Sequence, residues 1–286
     1  MHVPVMLGEC LEYLDVRPNG VYLDATAGLG GHTAAIAARL DTGLVIANDR
    51  DADSLALARS NTEALAGRIR YNLGSFSQLQ ASLANVGIAK VDGLLADLGV
   101  SRYQLTEPER GFSFMADGPL DMRMDRRQEQ TAADLANFTG EKELADLIFQ
   151  YGEERRSRKI ARAILRARPI HSTAQLARVI ESAVPRIGRL HPATQTFMAL
   201  RTVVNDEPGE LDALLRWAPE LVSAGGRIVV LTFMSLEDRK VKQSFQELGR
   251  SGRVRILTRH VVRPSEHEVR DNPPSRSAKL RAVEMT

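Results

Sequence analysis

Two acidic residues flank a glycine-rich turn near the start of this 286-residue chain. Asp24 precedes the turn, Gly28, Gly30 and Gly31 form it, and Asp49 follows about twenty residues later. Glycines allow a backbone to approach a ligand closely, and a carboxylate at that distance can accept hydrogen bonds from ribose hydroxyls. The spacing therefore predicts a site for a nucleoside-bearing cofactor.

The residues around the turn distinguish two classes of cofactor. A dinucleotide site requires a third small residue where helix and strand meet, and Thr33 occupies that place. With Asp24, the turn has the pattern Asp-x-x-x-Gly-x-Gly, which resembles the first motif of S-adenosylmethionine-dependent methyltransferases. Their cofactor lacks a pyrophosphate, so a carboxylate can accept from the amino group of its methionine part. The pattern favours S-adenosylmethionine.

The elements that position these residues follow from the apolar runs. Val21–Leu23 predicts a first strand, Ala34–Leu40 a helix, and Leu44–Ala47 a second strand that stops at Asp49. Asp51 is a weaker ribose candidate because it stands where the N-cap of the next helix is expected.

Two further strand ends complete the predicted site. Arg68–Leu73 predicts a strand followed by Phe76, whose ring could lie against adenine or simply pack in the core. Val91–Asp97 predicts a fourth strand beside the first, and ligands of open α/β sheets bind at the carboxyl ends of such strands. We therefore predict that Asp97 faces the methyl group or its acceptor, with Ser101 as a second catalytic candidate.

Alternation of strands and helices stops after residue 101 and resumes near residue 206. The pattern predicts an α/β fold, a Rossmann-like sheet of the class I methyltransferase kind, built from 1–101 and 206–286. Residues 102–205 are predicted to form an inserted, mostly helical domain. Two later helices are predicted, Glu210–Leu221 and Leu236–Leu248, and a capping box at Ser235 opens the second. Three later strands are predicted, Arg227–Phe233, Arg253–Val262 and Ala278–Val283, and Gly225-Gly226 separates the first of them from the preceding helix.

The composition excludes several classes of protein. A single cysteine, Cys10, excludes an internal disulfide framework and a cysteine-rich zinc site. The longest apolar runs, such as Ile228–Phe233, are far shorter than the roughly 20 residues of a membrane span. The first ten residues lack the basic region of a signal peptide. We expect a soluble, cytoplasmic protein without a metal.

Positive charge is concentrated in one segment. Residues 155–201 contain eleven Lys or Arg and one acid, a net charge of +10 in a chain whose total is +2. Arg155, Lys159, Arg162 and Arg166 recur at helical spacing and predict a basic stripe on a helix over 155–168. Charged helix faces are usually only solvated, but so uneven a segment favours binding of a polyanion such as RNA.

Longer blocks of sequence carry a closer resemblance, and they are spread over nearly the whole chain. The longest, RGFSFMADGPLDMRMD, occupies residues 110–125. The others include Asp97–Ser101, Tyr151–Arg155, Lys159–Ile164, His191–Phe197 and Ser235–Arg239. With these blocks the chain resembles the ribosomal RNA small subunit methyltransferase H family (RsmH/MraW).

The resemblance implies transfer of a methyl group from S-adenosylmethionine to N4 of a cytidine in the decoding centre of 16S ribosomal RNA. The substrate would be that RNA or the small ribosomal subunit. The cofactor residues implied are Gly30, Gly31, His32, Asp49, Phe76, Asp97 and Gln104. Of these, only His32 and Gln104 were not already indicated by spacing. The chain departs from the family pattern at Arg102, Gln195 and Met234, where the family has serine, arginine and histidine.

The reaction requires mainly alignment, because the N4 amine is a poor nucleophile and the sulfonium a good leaving group. An acceptor for the amine hydrogens would help, and Asp97 is our candidate, with Ser101 a helper. RNA bases are usually bound splayed out and stacked on aromatic rings. Tyr103, Phe112 and Phe114 cluster after Asp97, so we predict that the 103–125 segment forms the base pocket.

Three other functions remain as alternatives. A nicotinamide dehydrogenase is opposed by Thr33 and Asp24, and an RNA-binding module without chemistry is opposed by the glycine turn with Asp49. A methyltransferase for small molecules would not need the basic segment. The sequence leaves the oligomeric state open, with a homodimer as one option.

Overall fold

The computed structural model describes residues 4–186, 188 and 190–286. The chain forms two compact units, one of Met1–Gly99 with Gly209–Thr286 and the other of Val100–Pro208. The boundaries predicted at residues 101 and 206 lie close to these.

A seven-stranded sheet forms the centre of the first unit, in the order β3-β2-β1-β4-β5-β7-β6. The strands are β1 Val21–Asp24, β2 Leu44–Asp49, β3 Ile69–Leu73, β4 Val91–Asp97, β5 Val222–Thr232, β6 Val254–Ile256 and β7 Lys279–Met285. The first five are parallel, and β7 runs antiparallel to β5 and β6. The chain order reverses between β1 and β4, which is where such sheets bind ligands. The predicted α/β architecture is confirmed.

Thirteen α-helices accompany the strands in the described residues. They are α1 Leu7–Leu14, α2 Gly31–Ala37, α3 Ala52–Asn61, α4 Leu79–Asn85, α5 Arg102–Thr106, α6 Ala132–Phe138, α7 Glu141–Gly152, α8 Ser157–Ala167, α9 Thr173–Ala183, α10 Thr194–Val204, α11 Glu207–Leu221, α12 Ser235–Arg250 and α13 Glu266–Asp271. Within the part of the chain that is described, none of these helices has the length and apolar character needed to cross a bilayer.

Both faces of the sheet are covered, which explains why its central strands are apolar without alternation. Leu94 and Ile228 point to one face and pack with residues of α11 and α12. Leu95 and Val229, the next residue on each strand, point to the other face and pack with residues of α1 and α2. All four side chains are fully buried.

Two element boundaries differ from the prediction at glycines. The helix predicted over Ala34–Leu40 is α2, which spans Gly31–Ala37; it begins earlier because Gly30 adopts φ +86° and ends the turn there. Gly225 and Gly226 were predicted to separate the preceding helix from the strand, yet both glycines lie within β5. Gly225 has φ +74°, and the pairing of β5 with β4 shifts register between Val91 and Gly93.

The predicted capping box at Ser235 is wrong. The N-cap of α12 is Met234, and Ser235 is the first helical residue. The Glu237 carboxylate accepts from the backbone N–H groups of Phe233 and Met234, at 3.3 and 3.2 Å. Because Glu237 accepts from the N–H of Met234, the N-cap is one residue earlier than predicted, and the helix begins at Ser235. The run predicted as a strand over Arg253–Val262 is regular only in β6.

Helices α6 to α10 surround the core of the second unit. Its fully buried side chains include Leu144, Ile148, Ile160, Ile164 and Leu200. A capping box opens α6, since Thr131 Oγ1 accepts from the Asp134 N–H and the Asp134 carboxylate accepts from the Thr131 N–H.

Side-chain bonds rather than regular structure hold the 110–125 segment. Arg110 is only 2% exposed, and its guanidinium donates to the carbonyls of Arg123 and Met124. The rings of Tyr103 and Phe112 lie 5.7 and 5.8 Å from that guanidinium, at cation–π distance. The aromatic residues predicted for a base pocket are therefore partly engaged in packing.

Asn205 holds the same segment from the end of α10. Its Oδ1 accepts from the Met124 N–H at 2.7 Å, and its Nδ2 donates to the carbonyls of Met122 and Arg201, both at 2.8 Å. Asn205 is fully buried, and Met122 has the left-handed φ of +62°. The amide therefore compensates an unfavourable backbone conformation.

We expect Asn205→Ala to lower the free energy of unfolding by about 2–3 kcal/mol, because it leaves buried backbone groups at Met122 and Met124 unpaired. Urea denaturation of both proteins measures the difference. Lys142→Ala, at an exposed site of α7, is the control and should change stability by less than about 0.5 kcal/mol. Equal effects of the two substitutions would contradict this role of Asn205.

Candidate active site

The carboxyl ends of β1, β2 and β4 meet at one edge of the sheet in the first unit. Asp24 ends β1 and is paired with Ala47 of β2 and Leu95 of β4. Asp49 ends β2, and Asp97 ends β4. The structure therefore brings together the three carboxylates that sequence reasoning assigned to the cofactor site.

The glycine turn is tied directly to Asp49. Asp49 Oδ2 accepts from the Gly28 N–H at 2.7 Å, and Oδ1 accepts from the Asp51 N–H at 2.9 Å. Burial raises the pKa of Asp49 to about 6, although these N–H groups act in the opposite direction. The predicted N-cap role of Asp51 is confirmed, since its side chain accepts from the N–H groups of Asp53 and Ser54.

Only glycine fits at the centre of the turn. Gly30 has φ +86°, and a Cβ there would lie 2.9 Å from Thr62 Cγ2. A Cβ at Gly31 would lie 2.5 Å from Pro4 Cγ. The backbone between β1 and α2 is therefore packed closely from two sides, which leaves it well placed to approach a ligand.

Asp24 lies beneath the turn with no exposed surface. Its Oδ2 accepts from the Thr33 hydroxyl at 2.6 Å, and its Oδ1 accepts from the Thr26 N–H at 3.2 Å. Burial raises its pKa to about 6 against these hydrogen bonds. Thr33, the residue that disfavours a dinucleotide site, therefore links Asp24 to the first turn of α2.

Asp97 is the least satisfied of the three carboxylates. Its Oδ1 has no hydrogen-bond partner among the described residues, and its side chain retains 23% exposure. Burial, the larger cause, and the negative charge of Asp24 raise the pKa of Asp97 to about 8. A partly exposed carboxyl with one unsatisfied oxygen and this pKa is suited to bind a cation or to exchange a proton.

His32 faces Asp97 from the first turn of α2. Its Nε2 lies 3.1 Å from the Val5 carbonyl oxygen, which can only accept, so Nε2 carries the hydrogen. Nδ1 lies 3.8 Å from Asp97 Oδ2, and in a neutral ring it presents a lone pair to the carboxyl. The spacing of the sequence predicts His32 only as a first-turn helix residue, so its cofactor role was implied by the family resemblance alone.

Phe76 lies just beyond β3 at the same edge, held by a residue that sequence reasoning missed. Glu210 of α11 accepts from the N–H groups of Phe76 and Ser77, at 2.6 and 3.2 Å. Its other oxygen accepts from the Ser77 hydroxyl at 2.9 Å. No spacing could have revealed Glu210, because 134 residues separate it from Phe76.

Ser101 and Gln104 lie in the second unit and bond to each other. Ser101 Oγ accepts from the Gln104 N–H at 3.2 Å, and Gln104 Oε1 accepts from the Ser101 N–H at 2.9 Å. This reciprocal pair is a capping box for α5. Gln104 is 3% exposed. Their hydrogen bonds therefore define the start of a helix.

The predicted basic helix is shorter than expected. α8 begins at Ser157, so the prediction that Arg155 belongs to its stripe is wrong. The chain turns there because the Glu154 carboxylate accepts from the Arg156 N–H and guanidinium. The exposed basic residues of the helix that remain from the prediction are Lys159, Arg162 and Arg166.

Part of the positive charge between 155 and 201 is structural. Arg168 donates to backbone carbonyls at the end of α6 and just beyond it, and Arg201 pairs with Glu207 at 2.7 Å. Arg162 also contacts Glu141, at 3.3 Å. Arg189 lies outside the described residues. The described residues contain no cluster of three or more His, Cys, Asp or Glu side chains suited to a metal ion.

Comparison with known proteins agrees with this geometry. The chain is 65% identical to the ribosomal RNA small subunit methyltransferase H of Solibacter usitatus over 285 residues, which cover 100% of both chains. It is 52% identical to the protein of the same name from Acidobacterium capsulatum, covering 99% of this chain and 98% of the relative. Among solved structures, a putative rRNA-methylase from Clostridium thermocellum has the same fold, with a TM-score of 0.51, 12% identity and complete coverage of both chains.

The family model described as the MraW methylase family matches residues 1–286. The fold is the α/β fold of class I methyltransferases. On the family match and the two close relatives, this chain belongs to the MraW methylase family.

Proposed function

We propose that this protein transfers a methyl group from S-adenosylmethionine to N4 of a cytidine in the decoding centre of 16S ribosomal RNA. The observation that carries the proposal is the glycine turn bonded to Asp49 beside Asp97, whose Oδ1 has no hydrogen-bond partner among the described residues. Membership of the MraW methylase family supports it, as do the names of the relatives, which specify small-subunit ribosomal RNA.

The residues at the sheet edge fit S-adenosylmethionine. The Gly28–Gly31 backbone would lie against the cofactor, Asp49 would accept from the ribose, and Phe76 would pack against adenine. The Asp97 carboxylate would accept from the positively charged methionine part, and the resemblance also assigns Gln104 to cofactor binding. Asp24 and His32 would position the turn and Asp97. When bound, the cofactor supplies an electrophilic methyl carbon on a good leaving group.

Asp97 links cofactor binding to proton transfer. With a pKa of about 8, its carboxyl is mostly protonated at neutral pH in the free protein. A cation nearby stabilises the ionised form, so binding should release a proton and leave an acceptor at the end of β4. That acceptor could bond an amine hydrogen of cytosine and take up its proton, with Ser101 as a helper.

Alignment then accounts for much of the rate. A site that holds the amine nitrogen in line with the methyl carbon, near 3–3.5 Å, can contribute roughly 7–11 kcal/mol. In this chain the sheet edge would fix the donor. Within the second unit, the 103–125 segment would bind the base, and the exposed cations of α8 would bind phosphates.

Two measurements test the proposal as a whole. Calorimetry should show binding of S-adenosylmethionine and of S-adenosylhomocysteine but not of NAD. The purified protein should then methylate small ribosomal subunits at one cytidine, at N4. Binding of NAD without binding of S-adenosylmethionine would overturn it.

We expect Asp97→Asn to stabilise the ligand-free protein at pH 8 while weakening S-adenosylmethionine binding at least 10-fold. The folded-state pKa of about 8 exceeds the unfolded value of about 3.9. Between about pH 4 and about pH 8 the unfolded chain ionises at Asp97 more readily than the folded protein does, so the free energy of unfolding falls as pH rises. Asparagine cannot ionise, so the variant should escape this loss.

Thermal unfolding at pH 5 and pH 8, together with calorimetry, measures both effects. Asp41→Asn, at an exposed site, is the control and should alter neither. Loss of stability at pH 8 in Asp97→Asn would show that the carboxylate is structural and contradict the assignment.

We expect Glu210→Ala to raise the dissociation constant for S-adenosylmethionine about 10-fold with little change in kcat at saturating cofactor. The substitution frees the Phe76 loop without altering the methyl-transfer end of the site. Glu220→Ala, on the same helix and 55% exposed, should leave the constant unchanged. A fall in kcat with unchanged affinity would contradict this positioning role.

We expect the triple substitution of Lys159, Arg162 and Arg166 by glutamate to weaken binding of a 16S ribosomal RNA fragment at least 10-fold, because phosphate contacts dominate such affinities. Filter binding measures the RNA, and calorimetry should show unchanged S-adenosylmethionine binding.

The matched comparison reverses the same charge at three exposed residues of the first unit, the control set, which consists of Arg39, Lys90 and Arg216. Its RNA affinity should stay within about threefold of wild type. If both triple variants lose affinity equally, only net charge matters and α8 is ordinary surface.

A further inference from the structure

A cleft of about 600 Å³ opens between α12 and β6 at the edge of the sheet in the first unit. We refer to it as the α12–β6 cleft. The charged side chains that line it are all basic, namely Lys242, Arg250, Arg255, Arg259 and Arg281. Like charges gathered without a carboxylate on the same wall repel one another, so the cleft favours an anion.

Two of these cations are neutralised from outside the cleft. Arg281 is 8% exposed and forms an ion pair with Asp238 at 2.6 Å. Arg255 pairs with Glu284 at 2.8 Å. These pairs fix the floor and edge of the cleft, and they leave the other three cations to interact with a ligand.

The remaining cations, Lys242, Arg250 and Arg259, are exposed. In the described part of the chain they make no hydrogen bond or ion pair. Lys242 and Arg250 are eight residues apart on α12 and therefore lie on one face, about 12 Å apart along the helix. Arg259 approaches from the opposite wall, just beyond β6. Cations spread over this length match a ligand with repeated negative charges better than a single small anion.

The cleft is separate from the cofactor site but belongs to the same rigid sheet. Ile256 of β6 is paired with Val283, whereas Asp97 is level with Leu231 and Leu280, three residues along β7. Three strand spacings and three residues place the end of β6 roughly 17 Å from Asp97. A chain molecule bound in the cleft could therefore extend to the methyl-transfer site, while the cofactor itself could not occupy both.

We propose that the α12–β6 cleft binds the phosphodiester backbone of RNA, as an anchor distinct from both the cofactor site and α8. The inference rests on the proposed function insofar as the bound RNA is the methylation substrate. Guanidinium groups bind phosphate oxygens in pairs, and lysine supplies a point charge. Arg250 and Arg259 would bind phosphates from the two walls. Lys242 would bind a further phosphate, about 12 Å along α12 from Arg250.

The test replaces Lys242, Arg250 and Arg259 together by glutamine. We expect at least a 10-fold loss of affinity for small-subunit ribosomal RNA. The slope of log K against log salt should fall by about 2, as loss of three contacts to a single strand predicts. The KM for RNA should rise while kcat and S-adenosylmethionine affinity stay unchanged. Glutamine substitutions in the control set should alter none of these quantities.

The outcomes separate this inference from the proposed function. If wild-type protein binds ribosomal RNA but does not methylate it, the proposed function fails, and weaker RNA binding by the cleft variant would still support the cleft. If wild-type protein methylates and the cleft variant binds RNA with unchanged affinity and salt slope, the cleft inference is overturned. Loss of poly-glutamate binding with retained RNA binding would also overturn it, by assigning the cleft to an acidic protein segment.

Discussion

The structure has to accommodate three carboxylates gathered at the carboxyl ends of three parallel strands, β1, β2 and β4. Asp24 and Asp49 have their pKa raised to about 6, and Asp97 to about 8. Hydrogen bonds from the turn and from threonine hydroxyls compensate the first two, whereas Oδ1 of Asp97 has no partner in the part of the chain that is described. A cation placed beside Asp97 would compensate the energetic cost of burying its charge and the repulsion from Asp24. The buried carboxyl that destabilises the free protein is therefore the group that suits a positively charged cofactor.

Distant parts of the chain support the same edge. The amino-terminal segment packs on Gly31 and accepts from His32, while Glu268 of α13 accepts from the Met6 N–H at 2.5 Å. Glu210 holds the Phe76 loop from α11. The geometry of the turn is therefore maintained by side chains that do not themselves face a ligand. Such support stabilises a loop that contains positive φ values at Gly28 and Gly30.

The positive charge of this protein is divided between two tasks. Arg110, Arg168 and Arg201 donate to carbonyls or a carboxylate and stabilise the second unit. The cations of α8 and of the α12–β6 cleft project from the surface, where they would lower the free energy of a nearby polyanion. A net charge of only +2 conceals this separation, since acids elsewhere on the chain cancel the sum without covering the basic surfaces.

Local spacing in the sequence is enough to predict the order of strands and helices around the candidate site, the glycine turn, and the positions of Asp49 and Asp97 at strand ends. These features depend on local spacing and on apolar periodicity, both of which a linear pattern records. Tertiary contacts alone show that Glu210 holds Phe76, that Asp97 Oδ1 has no hydrogen-bond partner among the described residues, and which arginines are buried. Burial, pKa and ion pairing depend on distances through space between residues far apart in the chain, and no local pattern contains those distances.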